Sequence, residues 1–244
     1  MLALIAFIFV IGILLGAVGI GGVVMVPIIT QLTGIDIHIV VASTIFSAIF
    51  SGAVGTFMYA RNGSIQWSMA GWLGAGAIIG AFAGTMLLAR LSGILVESIV
   101  GVLVLFTGLH ALLAKASESQ TTFVGSKYTF LLVGTVTGVG SAISGAGGPL
   151  LMVPILMWLK FPILAAVALG QFIQIPVALS ASVGNVLNGL LDIKLGLLIS
   201  VCLMAGVVLG AKISVALPAP VVKRVVAVVL VCMAVVILGR LAFG

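Results

Sequence analysis

Charge is what this 244-residue chain has least of: ten Lys and Arg and four Asp and Glu make 6% of it, against 63% hydrophobic residues and a mean hydropathy of +1.50. A soluble domain keeps roughly a quarter of its residues charged to hold its surface in water, so that class is excluded and lipid is the main solvent. Carboxylates are missing from the apolar runs, since Asp36, Glu118 and Asp192 fall between them and Glu97 at the edge of one. A proton relay through mid-membrane acids is therefore not expected. The G-x-x-x-x-G-K-[S/T] run of a P-loop is absent, which excludes ATP hydrolysis by that device. Cysteine is nearly absent too, and Cys202 and Cys232 both sit in apolar runs, where they read as small packing residues rather than a disulfide or a metal pair. The opening Met1-Leu2-Ala3-Leu4-Ile5 carries no basic residue and leads to no small-residue cleavage site, so a retained N-terminus is expected rather than a removed signal peptide. Basic residues stand singly, with only Lys223-Arg224 adjacent, so there is no clustered face for nucleic acid.

Long apolar runs are plentiful. A hydrocarbon core about 30 Å thick takes roughly 20 residues of helix. Stretches 39–59, 67–89, 94–114, 163–187, 195–217 and 221–239 meet that length without interruption, while 1–32 and 129–159 are apolar but broken. The runs are continuous rather than alternating, so helices are expected and a barrel is not. The expected fold is an all-α polytopic membrane protein.

Sliding the sequence over itself brings Gly12, Gly19, Gly21 and Gly22 onto Gly138, Gly145, Gly147 and Gly148. The same offset places Asn62-Gly63 on Asn188-Gly189, Gly80 on Gly206, Gly84 on Gly210 and Leu91 on Leu217, and after the extra Pro149 it brings Pro27 opposite Pro154. A constant offset over most of the chain is the mark of an internal repeat. The first repeat spans 1–114, with an interrupted hairpin at 1–35 and spans at 38–59, 67–90 and 94–114. A polar linker at 115–127 leads to the second repeat, 128–244, with a hairpin at 128–160 and spans at 162–187, 193–217 and 220–241. Asn62-Gly63 and Asn188-Gly189 stand where spans stop and read as helix caps. Gly80/Gly84 and Gly206/Gly210 read as close helix-packing contacts.

Basic residues choose between the two orientations of the repeats. If each broken segment folds back as a hairpin, Arg61, Lys115, Lys127, Lys160, Lys212, Lys223 and Arg224 share one side, against Arg90, Lys194 and Arg240; a single crossing would divide them equally. The positive-inside rule favours the hairpins, hence inverted repeats with the linker in the cytoplasm.

Both broken segments run from an apolar helix through a glycine cluster into a short apolar helix containing proline. Glycine at that density interrupts a helix and leaves main-chain amides uncovered. A helix restarting there presents free N–H groups and about half a positive charge, a cradle for an anion. Gly19, Gly21 and Gly22 in the first half and Ser144, Gly145, Gly147 and Gly148 in the second are accordingly candidate substrate-binding residues, and Pro149 marks the start of the second short helix. Ser43, Ser47 and Ser51 repeat every four residues, and Gln171 and Gln174 lie three apart on the equivalent helix of the other half. Serine hydroxyls often bond their own helix, but a glutamine amide left in hydrocarbon is costly and must face protein or a polar cavity. Ser43, Ser47, Gln171 and Gln174 complete the candidate set. Lys212, within an apolar run, either lines a pathway or snorkels. His38 and His110 are expected at span ends, facing water or headgroups.

The G-x-x-G-x-G-G-x-x-x-x-P pattern from Gly16 to Pro27, its partner G-A-G-G-P-x-x-x-V-P from Gly145 to Pro154, and the two-half layout resemble the sulfite exporter TauE/SafE family over nearly the whole chain. The resemblance implies a bacterial inner-membrane carrier of sulfite, sulfonates such as sulfoacetate, or similar small sulfur-containing anions. It implies as partners a small anionic substrate and the bilayer, with no nucleic acid, no cofactor and no metal; a homodimer stays open. With neither nucleotide nor acids to couple, export driven by membrane potential is expected, with import or proton coupling as alternatives and a non-transporting structural subunit as the rival of another class. An intramembrane serine protease at Ser144-Gly145 is disfavoured, because position 142 of the G-x-S-G comparison is alanine and no histidine lies deep in a span.

Overall fold

The computed structural model describes residues 2–18, 22–113, 126–159 and 161–216, with residues 235 and 239. The first glycine break at 19–21, most of the linker and the last expected span, 220–241, lie outside them. The described residues form helices and no strands: α1 (Leu2–Val18), α2 (Gly22–Thr33), α3 (Ile37–Arg61), α4 (Trp67–Leu88), α5 (Gly93–Leu113), α6 (Lys127–Ser144), α7 (Pro149–Trp158), α8 (Ile163–Leu187) and α9 (Ile193–Ala216). Helices α3, α4, α8 and α9 are long and apolar enough to cross a bilayer, which makes this a multi-pass membrane protein.

Inside and outside are sorted by size rather than polarity, because lipid offers no hydrophobic drive to bring helices together and close backbone approach must do so. On α4 the bulky Ile78, Ile79 and Phe82 point outward while Gly76, Ala77, Gly80, Ala81 and Gly84 are buried. A Cβ at Gly84 would lie 2.7 Å from the Ala142 Cβ, and one at Gly138 would fall 2.8 Å from the Ala81 amide, so α4 and α6 are in backbone contact. On the other side Gly12 and Gly206 meet, a Cβ on Gly12 falling 2.9 Å from the Leu203 carbonyl. The packing role expected for Gly80/Gly84 and Gly206/Gly210 is what the structure shows. Gly16, the first glycine of the motif, shares it: it is still inside α1, pressed on Val207, and not part of a break.

These contacts also give the helix directions. Ser51 bonds Gln174 and Ser43 bonds the Asp192 carbonyl, so α3 and α8 run antiparallel. Gly76, Gly80 and Gly84 of α4 meet successively later residues of α6, so that pair is parallel, as are α1 and α9. The most heavily packed pairs are α4 with α6, α1 with α9, α3 with α8, α3 with α9 and α4 with α8. Exchanging α1, α3 and α4 for α6, α8 and α9 maps this set onto itself. Helix α1 starts on the side where α3 starts and α2 returns to it, whereas α6 starts where α3 ends and α7 returns there. Each broken segment is thus a hairpin, and the two enter from opposite faces.

The charges divide between those faces. Arg61, Lys127 and Lys212 lie on the side where α3 ends; Arg90 and Lys194 share the other with Asp36, Glu97 and Asp192. The first side, with three described bases against two, is the one the positive-inside rule expects to face the cytoplasm. Lys115, Lys160, Lys223, Arg224 and Arg240 lie outside the described residues. Asn62 and Asn188 are the C-caps of α3 and α8, each followed by a glycine at φ +67°, so the Asn-Gly pairs end helices as expected. His38 stands at the start of α3, a span end, and is partly exposed. Its ring is also held by Asp36 Oδ1 at 2.8 Å and the Leu91 carbonyl at 3.0 Å, tying α3 to the α4–α5 loop.

Candidate functional site

Helix α6 stops because Gly145 turns left-handed (φ +73°) while its amide still reaches the Ser141 carbonyl at 3.0 Å. Gly147 (φ +73°) and Gly148 (φ +123°) follow, conformations that a side chain would strain, and Pro149 then opens α7 without sacrificing a needed donor. Every residue from Ser141 to Leu150 is buried. Among the described residues the amides of Gly147, Gly148, Leu150 and Leu151 find no hydrogen-bond acceptor. Buried donors without partners are rare in native proteins. Here they stand together at a helix N-terminus, whose aligned peptides add a partial positive charge.

The surroundings of this break come from both halves. A Cβ at Gly22, the first residue of α2, would lie 3.1 Å from the Ala146 carbonyl, so the first short helix starts against the break that opens the second. Gly147 faces Ala48 of α3 and Gln174 of α8, whose Oε1 would be 3.4 Å from a Cβ there. Gln174 and Gln171 are fully buried and form a chain: Ser51 Oγ donates to Gln174 Oε1 (3.3 Å), Gln174 Nε2 to Gln171 Oε1 (2.6 Å), and Gln171 Nε2 to the Leu15 carbonyl near the end of α1 (2.8 Å). Each amide nitrogen keeps one hydrogen uncommitted. Gly52 and Gly55 of α3 make the room, a Cβ on Gly52 falling 2.6 Å from the Gln174 Cβ.

The candidate residues therefore separate. Gly22, Gly145, Gly147, Gly148, Gln171 and Gln174 come together at mid-depth; Gly19 and Gly21 lie outside the described residues. Ser47 adjoins the site on α3, with its hydroxyl bonded to the Thr44 carbonyl at 2.6 Å, and Ser144 gives its hydroxyl to the Gly140 carbonyl at 2.7 Å. Ser43 stands two turns from Ser51 and bonds the Asp192 carbonyl at 3.1 Å, a helix-to-loop tie away from the break. Sequence reasoning missed Gly52 and Gly55, whose spacing on the face of Ser51 was the available signal, and Tyr59, whose hydroxyl donates to the Gly16 carbonyl at 3.1 Å.

Lys212 is exposed about one turn before α9 ends, on the side where α3 ends. With Met58, Tyr59, Asn62 and Ala211 it lines a cavity of about 260 Å³. This is a cationic vestibule beside the end of α1. A larger groove of about 690 Å³ between α4 and α8, lined by Ile78, Phe82, Phe172 and Ile175 among others, is almost wholly apolar and suits acyl chains, not ions. Among the described residues no three His, Cys, Asp or Glu gather to hold a metal.

The family profile of the sulfite exporter TauE/SafE matches residues 4–237. The probable membrane transporter protein YdhB of Bacillus subtilis (strain 168) is 27% identical over 227 residues, covering 89% of this chain and 92% of that protein. The probable membrane transporter protein MJ0441 of Methanocaldococcus jannaschii is 23% identical over 226 residues, covering 84% and 83%. No solved structure matches. With buried, unpartnered amides at the break between α6 and α7 and a family match over nearly its full length, this chain belongs to the sulfite exporter TauE/SafE family of membrane transporters.

Proposed function

We propose that the protein exports a small sulfur-containing anion, sulfite or a sulfonate such as sulfoacetate, across the bacterial inner membrane, held at the meeting point of the two broken hairpins. The observation that carries this reading is the set of unpartnered amides at buried Gly147, Gly148 and Leu150 and half-buried Leu151, beside the buried Gln171 and Gln174, whose amide nitrogens each keep a spare hydrogen. All are neutral donors, which suits an oxyanion that must be released again. The Lys212 vestibule gathers the anion from the cytoplasm, and the hairpins hand it across. With the cell interior negative, export gains about 2.3 kcal/mol per charge per 100 mV, and a dianion about twice that, without a coupled ion.

Thermal stabilisation of purified protein by sulfite, sulfate, thiosulfate, sulfoacetate and uncharged analogues tests the substrate class, and stabilisation by a sulfur oxyanion alone is expected. In proteoliposomes, efflux should follow an imposed potential. Flux that requires a pH gradient and ignores the potential rejects the energetic half of the proposal.

A further inference from the structure

On the Asp36 and Asp192 side of the glutamine pair, alongside the glycine break, the interior holds a second group of polar atoms with nothing to bond. Asn185 of α8 is fully buried, and neither its Nδ2 nor its Oδ1 has a partner among the described residues. The same is true of the hydroxyls of Thr44, Thr137, Ser141 and Ser182, each at most 8% exposed.

Their placement is shared. Ser182 and Asn185 continue the face of α8 that carries Gln171 and Gln174, at the three- and four-residue spacing of one helix stripe. Thr44 lies on α3 between Val41, which Gly145 abuts, and Ala48, which Gly147 abuts. Three close approaches fix the depth: Gly184 against Thr85, Gly84 against Ala142, and Gly145 against Val41. Asn185, Ser141 and Thr44 therefore lie within about a turn of one another in depth, on α8, α6 and α3, on the extracytoplasmic side of the glutamine pair. A buried amide or hydroxyl left unpaired is retained only rarely, so several at one level mark a place that a polar guest occupies. These groups offer two amide hydrogens, three or more rotatable hydroxyl hydrogens and no fixed charge. That is a donor set for an oxyanion carrying some of its water, with Asn185 Oδ1 accepting from the water.

We propose that Asn185, with the hydroxyls of Ser141 and Thr44, forms a second station for the transported oxyanion, occupied after it leaves the amides of Gly147 to Leu151 and before it exits. This rests on the transport reading above. The two are separated by measuring sulfite stabilisation and potential-driven sulfite efflux on wild type, Asn185→Leu and Asn185→Asp. Sulfite should stabilise Asn185→Leu about as well as wild type, because the first station is intact, while efflux falls at least tenfold. Asn185→Asp should fall further, and more steeply as pH rises and the introduced carboxyl ionises. Efflux from Asn185→Leu within twofold of wild type overturns the station and reduces the cluster to a pocket for water. Wild type with neither stabilisation nor efflux overturns the transport reading itself. Should Asn185→Leu fail to fold, Ser141→Ala and Thr44→Val carry the same expectation, and full efflux in both overturns the station.

Discussion

Gln174→Glu places a carboxylate where a neutral amide now stands beside Gly147. Gln174 Oε1 is 3.4 Å from the position a Cβ on Gly147 would take. An anion on that amide would therefore lie about 5 Å from the new charge, and at an effective dielectric of about 20 a unit charge is repelled by about 3 kcal/mol. The expected result is sulfite affinity reduced about two hundredfold at a pH where the carboxyl is ionised. Burial raises a carboxyl's pKa, so the defect should be small at low pH and grow as pH rises through that value. A packing defect would have no such profile. Isothermal titration with sulfite across pH measures it, with Gln174→Leu as the uncharged control that loses the hydrogen bonds alone. Affinity within threefold of wild type at every pH would refute the assignment of the anion to this break.

Three further outcomes follow. Gly80→Val drives a side chain into the backbone of Thr135 on α6 and should destabilise by about 3 kcal/mol or more, seen as a lower unfolding midpoint. Lys212→Gln should slow efflux severalfold at low ionic strength and hardly at all near 1 M salt, where the Debye length is about 3 Å; an equal loss at both would mean the lysine does not steer. Asp36 caps α3 by accepting from the His38 amide at 2.8 Å. Partial burial works against its charge, yet hydrogen bonds from the His38 amide and ring and the pull of His38 together hold the carboxyl below its ordinary value. Its contribution is thus complete above the unfolded-state pKa and disappears as pH falls through the folded one. Asp36→Ala should cost about 1 kcal/mol at neutral pH, and the gap to wild type should close in acid.

What was readable from sequence is what depends on one helix and its neighbours in the chain. Apolar length located α3, α4, α8 and α9, Asn-Gly located the ends of α3 and α8, and glycine density with Pro149 located the break between α6 and α7. The repeat added more, because Gly80/Gly84 and Gly206/Gly210 at equal positions required a common packing role. What was not readable is which side chains share a depth. Gln171 bonds a carbonyl 156 positions earlier, and Ser43 bonds one 149 positions later, where the same serine stripe suggested a common fate with Ser47 and Ser51. Asn185 was invisible for a related reason. A polar residue near the end of a span reads as an interface residue until packing shows that the helix end is covered.

Among the described residues no cation stands at the break, and this is itself a functional constraint. Around it the described polar side chains are serines, threonines and glutamines, and the positive potential comes from the starts of α2 and α7. Each contributes about half a charge, and a dianion about 4 Å away gains about 4 kcal/mol from each at an effective dielectric of about 20. A lysine at that depth would hold the anion in either conformation. Two half-charges on separate hairpins hold it only while Gly22 and Ala146 remain in contact, as they do here. Parting the hairpins removes about one such contribution, close to a thousandfold in affinity, so the movement that opens the site also weakens it. On the proposed reading, binding and release are then one structural variable, set by the contact between the starts of α2 and α7 rather than by a fixed charge.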